Sequence, residues 1–506
     1  MGFAQVLSRA QVGMDAPLVR VEVHLGSGLP SFSIVGLPAP VVRESKERVR
    51  AALAHCDYEF PAGRITVNLA PADLPKEGGR FDLPIALGIL VASGQVPPPF
   101  DLARSEFYGE LGLTGDLKPV PGLLLAALHA ARLRHDLFVP IRNVEEASAG
   151  GAIRVHGLHN LRGFRSSLDE SHAPDTATKP DASSAGGDAQ PSLDLADVRG
   201  QWQARRALVI AAAGNHSLLM IGPPGSGKTM LAQRLPGLLP ELSAAESLEV
   251  AAIAAVAQLD SNSGHAGRPF RAPHHTASAH AIVGGGVTVR PGEVSLAHHG
   301  VLFLDELPEF DRRVLEALRE PMESGVISVV RANQRAVFPA AFQLVAAMNP
   351  CPCGRAGMVE NRCRCDPKQV DRYRSRISGP LLDRIDLQVA LPPVDADALV
   401  EPAGNPGLKD SLTTAQAASA VRHARDCQLA RQGTTNHRLG PQDTLRFCKA
   451  DAEGMALLRR AVGARGYSAR SQHRVLRVAR SIADLSAREH VCAADIAEAL
   501  AMRWEA

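Results

Sequence analysis

The stretch SLLMIGPPGSGKT at residues 217–229 constrains this 506-residue chain more than any other. A short apolar run leads into a Gly/Pro loop, and Gly227, Lys228 and Thr229 open a helix-like stretch. Residues 222–229 fit the pattern G-x-x-x-x-G-K-[ST] without mismatch. Phosphate chemistry explains the residue types. Gly222, Pro223, Pro224, Gly225, Ser226 and Gly227 form a loop whose backbone N–H groups turn inward onto a phosphate, and the following helix adds its dipole. Lys228 neutralises the β- and γ-phosphates, and Thr229 holds Mg²⁺. The pattern predicts an α/β fold built around a site for ATP or GTP.

A chain of this length exceeds one hydrophobic core, so two to four domains are expected. No run approaches the roughly 18 apolar residues of a membrane span. The first residues, MGFAQVLSRAQVGM, do not read as a secretory signal, and the expected location is cytoplasmic, with no membrane partner. With 55 Lys and Arg against 53 Asp and Glu, any nucleic-acid affinity must come from local patches. Aromatic residues make up only 4%, which argues against stacking as the main grip on single strands. Eight cysteines, four of them within residues 351–365, point to a metal site in a reducing compartment rather than to disulfides.

Residues 1–164 mix alternating strands (VRVEV at 19–23, ITVNL at 65–69) with helical stretches, an α/β or α+β pattern. Residues 165–192 are rich in Ser, Ala, Asp, Pro and Gly and read as a flexible linker. Residues 193–394 alternate strands and helices around the phosphate loop, and residues 395–506 read as a helical lid.

A phosphate loop needs a metal-holding acid and a water activator. The run VLFLDE at 301–306 delivers two carboxylates to the end of an apolar strand, where parallel sheets place ligands. Asp305 would hold Mg²⁺ and Glu306 would polarise water; the plainer alternative is an acidic turn. A second apolar run ends at Asn349, which can position the water or sense the γ-phosphate, although alone it reads as a turn residue. In PLLDRIDL at 380–387, Arg384 lies between two acids. A guanidinium lent to a neighbouring subunit's nucleotide completes such sites; taken alone, this arginine reads as a solvated ion pair. Arg470, Arg474 and Arg477 share a helix face, and Arg470 is the candidate to reach from the helical region to the nucleotide.

Two resemblances follow from these motifs. FSIVGLP at 32–38 and RITVNLAPADLPKEGGRFDLPIALGIL at 64–90 resemble the proteolytic domain of Lon-type proteases. Arg80 stands where their serine belongs and Leu124 where their lysine belongs, so no nucleophile is present for peptide hydrolysis. GEVSLAHHGVLFLDELPEF at 292–310 and YRSRISGPLLDRIDL at 373–387 resemble the magnesium-chelatase-type branch of the AAA+ ATPases. With the Lon-like segment added, nearly the whole chain resembles the YifB/ComM family. That resemblance implies a Lon-protease-like α+β domain, an AAA+ P-loop α/β core and a C-terminal helical lid. It also implies a homo-hexameric DNA motor that drives branch migration during natural transformation, with recombination proteins as partners.

The load and a second metal remain to be placed. Segment 266–290 has three arginines and no acid, and 325–339 reads as a hairpin. Arg268, Arg271, Arg290, Arg331 and Arg335 are candidates to touch a DNA backbone; a subunit interface or a solvated loop is the alternative. Cys351, Cys353, Cys363 and Cys365 are candidates for a structural Zn²⁺ site, although their C-x-C spacing is tighter than usual; free thiols are the alternative. The histidines at 274, 275, 280, 298 and 299 show no ligand pattern. Beside the DNA motor stand two other readings of the same ATPase parts: a chelatase-type remodelling subunit and a regulatory ATPase acting on a protein partner.

Overall fold

The computed structural model describes residues 2–97, 101–151, 154–163, 193–259, 267–286, 289–331, 334–356, 363–393, 412–465 and 467–503. The 165–192 linker and residues 395–411 of the lid segment lie outside them. The chain divides into two compact units, Met1–Gly186 with Ser247–Gly264, and Gly187–Glu246 with His265–Ala506.

The first unit is built on a seven-stranded mixed sheet. Its strands run in the order Ser31–Val35, Arg64–Ala70, Leu18–Gly26, Gly2–Arg9, Ser105–Phe107, Asp136–Pro140, Val155–Leu158. Alternation sets the faces: Val19, Val21 and Val23 are buried while Arg20 and His24 between and beyond them are exposed. Helix Asp82–Ala92 lies on the buried face and is itself buried from Asp82 to Leu90. Gly88 permits that approach, since a Cβ there would meet Val23 Cγ2 at 2.5 Å. Glu106, fully buried, accepts from Arg9 Nε at 2.8 Å and Nη2 at 2.7 Å.

The second unit carries five parallel strands in the order Phe270–Arg271, Val301–Leu304, Gln343–Met348, Leu218–Ile221, Leu387–Ala390. Three of them, Leu218–Ile221, Val301–Leu304 and Gln343–Met348, are buried at every position, the near-continuous apolar run expected of strands covered on both faces. The first strand in the sequence lies between the fourth and fifth, so the chain reverses its direction of travel there. That reversal opens a crevice at the carboxyl ends of the strands.

The C-terminal helices Thr414–Gln432, Ala452–Arg465, Ala469–Leu485 and Ala493–Ala501 share one apolar cluster with helix Trp202–Gly214 and the sheet. A buried polar staple reinforces the join. Asp386, just before the Leu387–Ala390 strand, meets His437 Nδ1 at 2.7 Å, His216 Nδ1 at 3.2 Å and Arg474 Nη1 at 3.4 Å. Burial pushes the Asp386 carboxyl up, and His437 and His216 overcome that push and hold it well below the usual carboxylate range.

Replacing Asp386 with Ala should cost about 3–5 kcal/mol, because Arg474 and His216 lose their buried partner. The contribution is complete above the unfolded-chain value of about 3.9 and is lost as pH falls through the lower folded value. Denaturant midpoints for wild type and variant at neutral and acid pH read both effects; equal midpoints at neutral pH would contradict them.

Candidate active site

Four segments meet at the carboxyl edge of the parallel sheet. The phosphate loop follows Leu218–Ile221, the acidic pair follows Val301–Leu304, Asn349 follows Gln343–Met348, and His275 lies four residues beyond Phe270–Arg271. Because the strands are parallel, sequence positions just after each strand become neighbours in space.

The loop needs left-handed backbone at Gly225 and Gly227, with φ of 77° and 86°. Gly222 is required for another reason: a Cβ there would lie 2.8 Å from Leu391 Cβ and from Ser226 Oγ. The Ser226 hydroxyl is buried and has no hydrogen-bond partner among the described residues, which suits a loop built to receive ligand oxygens. Lys228, 8% exposed, donates to Gly222 O at 2.7 Å, Pro223 O at 2.9 Å and Asn349 Oδ1 at 3.3 Å. Burial lowers its pKa, while Asp305 and Glu306 act the other way.

Thr229 Oγ1 donates to Asp305 Oδ2 at 2.9 Å. These are two hard oxygen groups on adjacent elements, and they fit Mg²⁺, which takes one or two protein ligands and completes its shell with water and phosphate. Asp305 Oδ1 also accepts the Glu306 N–H at 2.9 Å. Glu306 is half-exposed and its φ is 53°, a left-handed conformation uncommon for a carboxylate residue outside constrained sites. His275 Nδ1 lies 3.1 Å from Glu306 Oε2. Sequence reading gave this histidine no role; its place just beyond a core strand was the available signal. Tyr373 also belongs to the site. Burial pushes its phenol up to about 12, and the Asn349 backbone acts the other way.

The arginines fall elsewhere. Arg384 precedes the Leu387–Ala390 strand, so it lies at the amino edge of the sheet, opposite the phosphate loop. A four-residue strand separates the two edges by about 13 Å. Arg384 Nε pairs with Glu323 Oε1 at 2.9 Å, and Arg470 Nη2 reaches the same oxygen at 3.6 Å. The two arginines are therefore neighbours. Arg474 and Arg477 turn inward, to Asp386 and to His437 O respectively.

Two of the arginines expected to touch DNA have their charge engaged inside the fold. Arg268 donates to Pro240 O at 2.6 Å and His299 O at 2.7 Å, and its side chain is 10% exposed. Arg271 makes a bidentate pair with Glu293 at 2.6 and 2.8 Å. Local sequence leaves no trace of these partners, which lie 22 or more residues away. Arg290 is exposed on strand Arg290–Pro291. Arg331 and Arg335 occupy the tip of the antiparallel hairpin Val326–Arg331 and Gln334–Pro339; their side chains lie outside the described residues. The four cysteines predicted to share a metal are brought together, with all sulfurs within 4.8 Å of one another. Backbone amides of Arg364 and Arg355, together with Cys351, draw the Cys353 thiol down to about 6.

A phosphate loop, a Thr–Asp magnesium pair, an adjacent glutamate and a strand-end asparagine on one sheet edge define a P-loop nucleoside triphosphatase. Comparison with known proteins specifies the branch. The family described as "Magnesium chelatase, subunit ChlI" matches residues 194–399, its C-terminal domain matches 411–503, and "Subunit ChlI of Mg-chelatase" matches 21–143. The chain is 47% identical to Competence protein ComM of Haemophilus influenzae over 99% of its own length and 98% of that protein's. It is 45% identical to YifB of Escherichia coli over 99% and 97%. A shorter match, 30% identical over 99 residues, is to the DNA replication licensing factor Mcm6 of Drosophila melanogaster; it spans 20% of this chain and 11% of Mcm6. The chain belongs to the ComM/YifB family of magnesium-chelatase-like AAA+ ATPases. ATP and Mg²⁺ are the ligands that family implies.

Replacing Glu306 with Gln should leave ATP affinity within a few-fold of wild type and lower hydrolysis at least ~10²-fold. A nucleotide-binding titration and a phosphate-release assay separate the two; comparable loss in both would show that Glu306 serves binding rather than water activation.

Proposed function

We propose that this protein is a ring-forming ATP-driven DNA motor, a homo-hexameric helicase or branch-migration translocase that acts when incoming DNA is integrated during natural transformation. The observation that carries the reading is the end-to-end identity with Competence protein ComM. The Mcm6 match, a replication licensing factor, supports DNA as the load. Recombination proteins are the expected partners and the cytoplasm the expected setting. Among the described residues no helix is long and apolar enough to cross a membrane.

In the proposed cycle, the loop amides and Lys228 hold the phosphates, and Thr229 and Asp305 hold Mg²⁺. Glu306 polarises a water positioned by Asn349. The nucleotide lies at one edge of the sheet and Arg384 at the other, so Arg384 serves the nucleotide of the next subunit, and Arg470 beside it does the same. Glu323 holds both arginines until a neighbour's phosphates draw them off. DNA is gripped by Arg290 and by the hairpin bearing Arg331 and Arg335.

The proposed domain plan is a Lon-like first domain at 1–164, the linker, the core and the helical lid. In the first domain Arg80 is 5% exposed and donates to Pro121 O at 2.7 Å, and Leu124 is buried in helix Leu123–Leu133. Neither can act as a nucleophile or base, so this unit is proposed as a scaffold without proteolytic chemistry.

Wild-type protein with ATP should displace a strand from a three-stranded DNA junction, and Lys228→Ala should not. Absence of displacement, with hydrolysis stimulated only by a protein partner, would favour a remodelling ATPase instead. Two further outcomes are expected. Lys228→Ala and Arg384→Ala, each inactive alone, should regain hydrolysis when mixed, because one supplies the arginine and the other the loop; a mixture as inactive as its parts counts against sharing. Replacing Arg331 and Arg335 with Ala should flatten the salt dependence of duplex binding by about 0.9 per lost phosphate contact.

A further inference from the structure

The chain leaves the active site through a cysteine turn. Asn349 is followed by Pro350 and Cys351, and the sulfurs of Cys351, Cys353 and Cys363 stand 3.4, 3.7 and 3.6 Å apart, pair by pair. Cys365 completes a group whose four sulfurs all lie within 4.8 Å. None of the four is in a disulfide. Four thiolates at a zinc–sulfur distance of about 2.3 Å stand about 3.8 Å from one another, close to the observed spacing and far tighter than an iron–sulfur cluster requires. The turn is also built as metal knuckles are: the Ala356 N–H donates to Cys351 Sγ at 3.3 Å, and Gly354 N–H closes onto Cys351 O at 2.9 Å.

A second, independent observation gives the cluster a role. Gly354, with φ of 74°, has its backbone pressed onto the phosphate loop. A Cβ at that position would lie 2.6 Å from Pro224 Cδ, 2.9 Å from Pro224 Cγ and 3.8 Å from Asn349 Cγ. Gly354, directly after the first cysteine pair, is thus wedged between the loop that follows Leu218–Ile221 and the asparagine that meets Lys228. Cys351 is fully buried at the root of that wedge. Gly222 N–H donates to Met348 O at 3.1 Å, so the other flank of the loop is fixed by the strand that leads into the same turn.

We infer that Cys351, Cys353, Cys363 and Cys365 hold one Zn²⁺ and that this zinc knuckle sets the position of the phosphate loop, so that metal occupancy controls nucleotide affinity. The metal ties Cys351 and Cys353 to Cys363 and Cys365, and the first pair passes that constraint to Pro224 through the backbone at Gly354. The inference rests on the nucleotide site alone and needs neither DNA nor a hexamer.

The test uses the full chain purified under reducing conditions, without DNA. Wild type should contain one zinc per chain by elemental analysis. Gly354→Ala keeps all four thiols, so it should retain the zinc yet bind a fluorescent ADP about tenfold more weakly, because a side chain in left-handed backbone and against Pro224 forces the turn off the loop. Cys363→Ser should lose the zinc and weaken ADP by a similar factor. Wild-type protein with no metal, or with iron alone, overturns the zinc site. Wild-type ADP affinity in zinc-replete Gly354→Ala overturns the coupling, and that variant decides the matter even where Cys363→Ser fails to fold. A DNA-inactive protein that passes these tests would count against the motor and leave the knuckle standing.

Discussion

The second unit depends on a cation placed where water hardly reaches. Lys228 is 8% exposed, and a buried ammonium is tolerated only when oxygens surround it. They are the carbonyls of Gly222 and Pro223 and the amide of Asn349, with the carboxylates of Asp305 and Glu306 adding their charge from farther off. They come from the ends of two other parallel strands and from the loop itself. Strand order is therefore an electrostatic requirement as well as a topological one. A triphosphate offers the same ammonium a concentrated set of charged oxygens, which is why neutral carbonyls can hold the lysine without outcompeting the ligand.

The opposite edge of the sheet carries the arginines of the proposed shared site. Arg384 is held at 2.9 Å by Glu323, and the strand that follows it is anchored by Asp386 to His216, His437 and Arg474. Under the proposed function this anchoring matters, since the position of the Arg384 guanidinium, buried at 8% exposure, is only as good as the backbone two residues away. Glu323 is the more labile contact: it is nearly half-exposed and divides its attention between Arg384 and Arg470. The shared carboxylate is solvated, but the Arg384 side chain is 9% exposed, so this pair is costlier to leave than a surface ion pair. Under the proposed ring, each subunit contributes phosphate-binding groups on one edge and arginines on the other, and hydrolysis needs two copies to bring them together.

The chemistry at the strand ends was legible because parallel strands turn sequence order into spatial adjacency. A loop, an acidic pair and an asparagine, each preceded by four to six apolar residues, could be placed on one edge without coordinates. What could not be read is who partners whom across long separations. Arg268 and Arg271 read as a basic segment free to meet DNA, yet carbonyls 28 and 31 residues away and Glu293 take up their hydrogen bonds. Arg470 read as reaching for the nucleotide, and its neighbourhood with Arg384 on Glu323 was not foreseen. His275 showed no ligand pattern because its partner, Glu306, belongs to a different strand end. In the first unit the alternation of Val19, Val21 and Val23 announced a half-buried strand, while the buried Arg9–Glu106 pair, 97 residues apart, left no local trace.

Asn349 gathers the remaining threads. Its side-chain oxygen receives Lys228, its backbone lies near the Tyr373 phenol, and its chain runs on through Pro350 into the cysteine turn. A residue hemmed in on three sides cannot shift its amide without disturbing one of the other two. Any change in the nucleotide that alters the pull of Lys228 on Asn349 must therefore be absorbed by Tyr373 or by the turn at Gly354. Tyr373 is buried, with 7% exposure, and has little room to yield. The turn is the softer of the two unless its cysteines are tied together. Stiffness at that turn consequently decides whether the strand end acts as a passive lining of the site or as a lever that carries the state of the nucleotide outward.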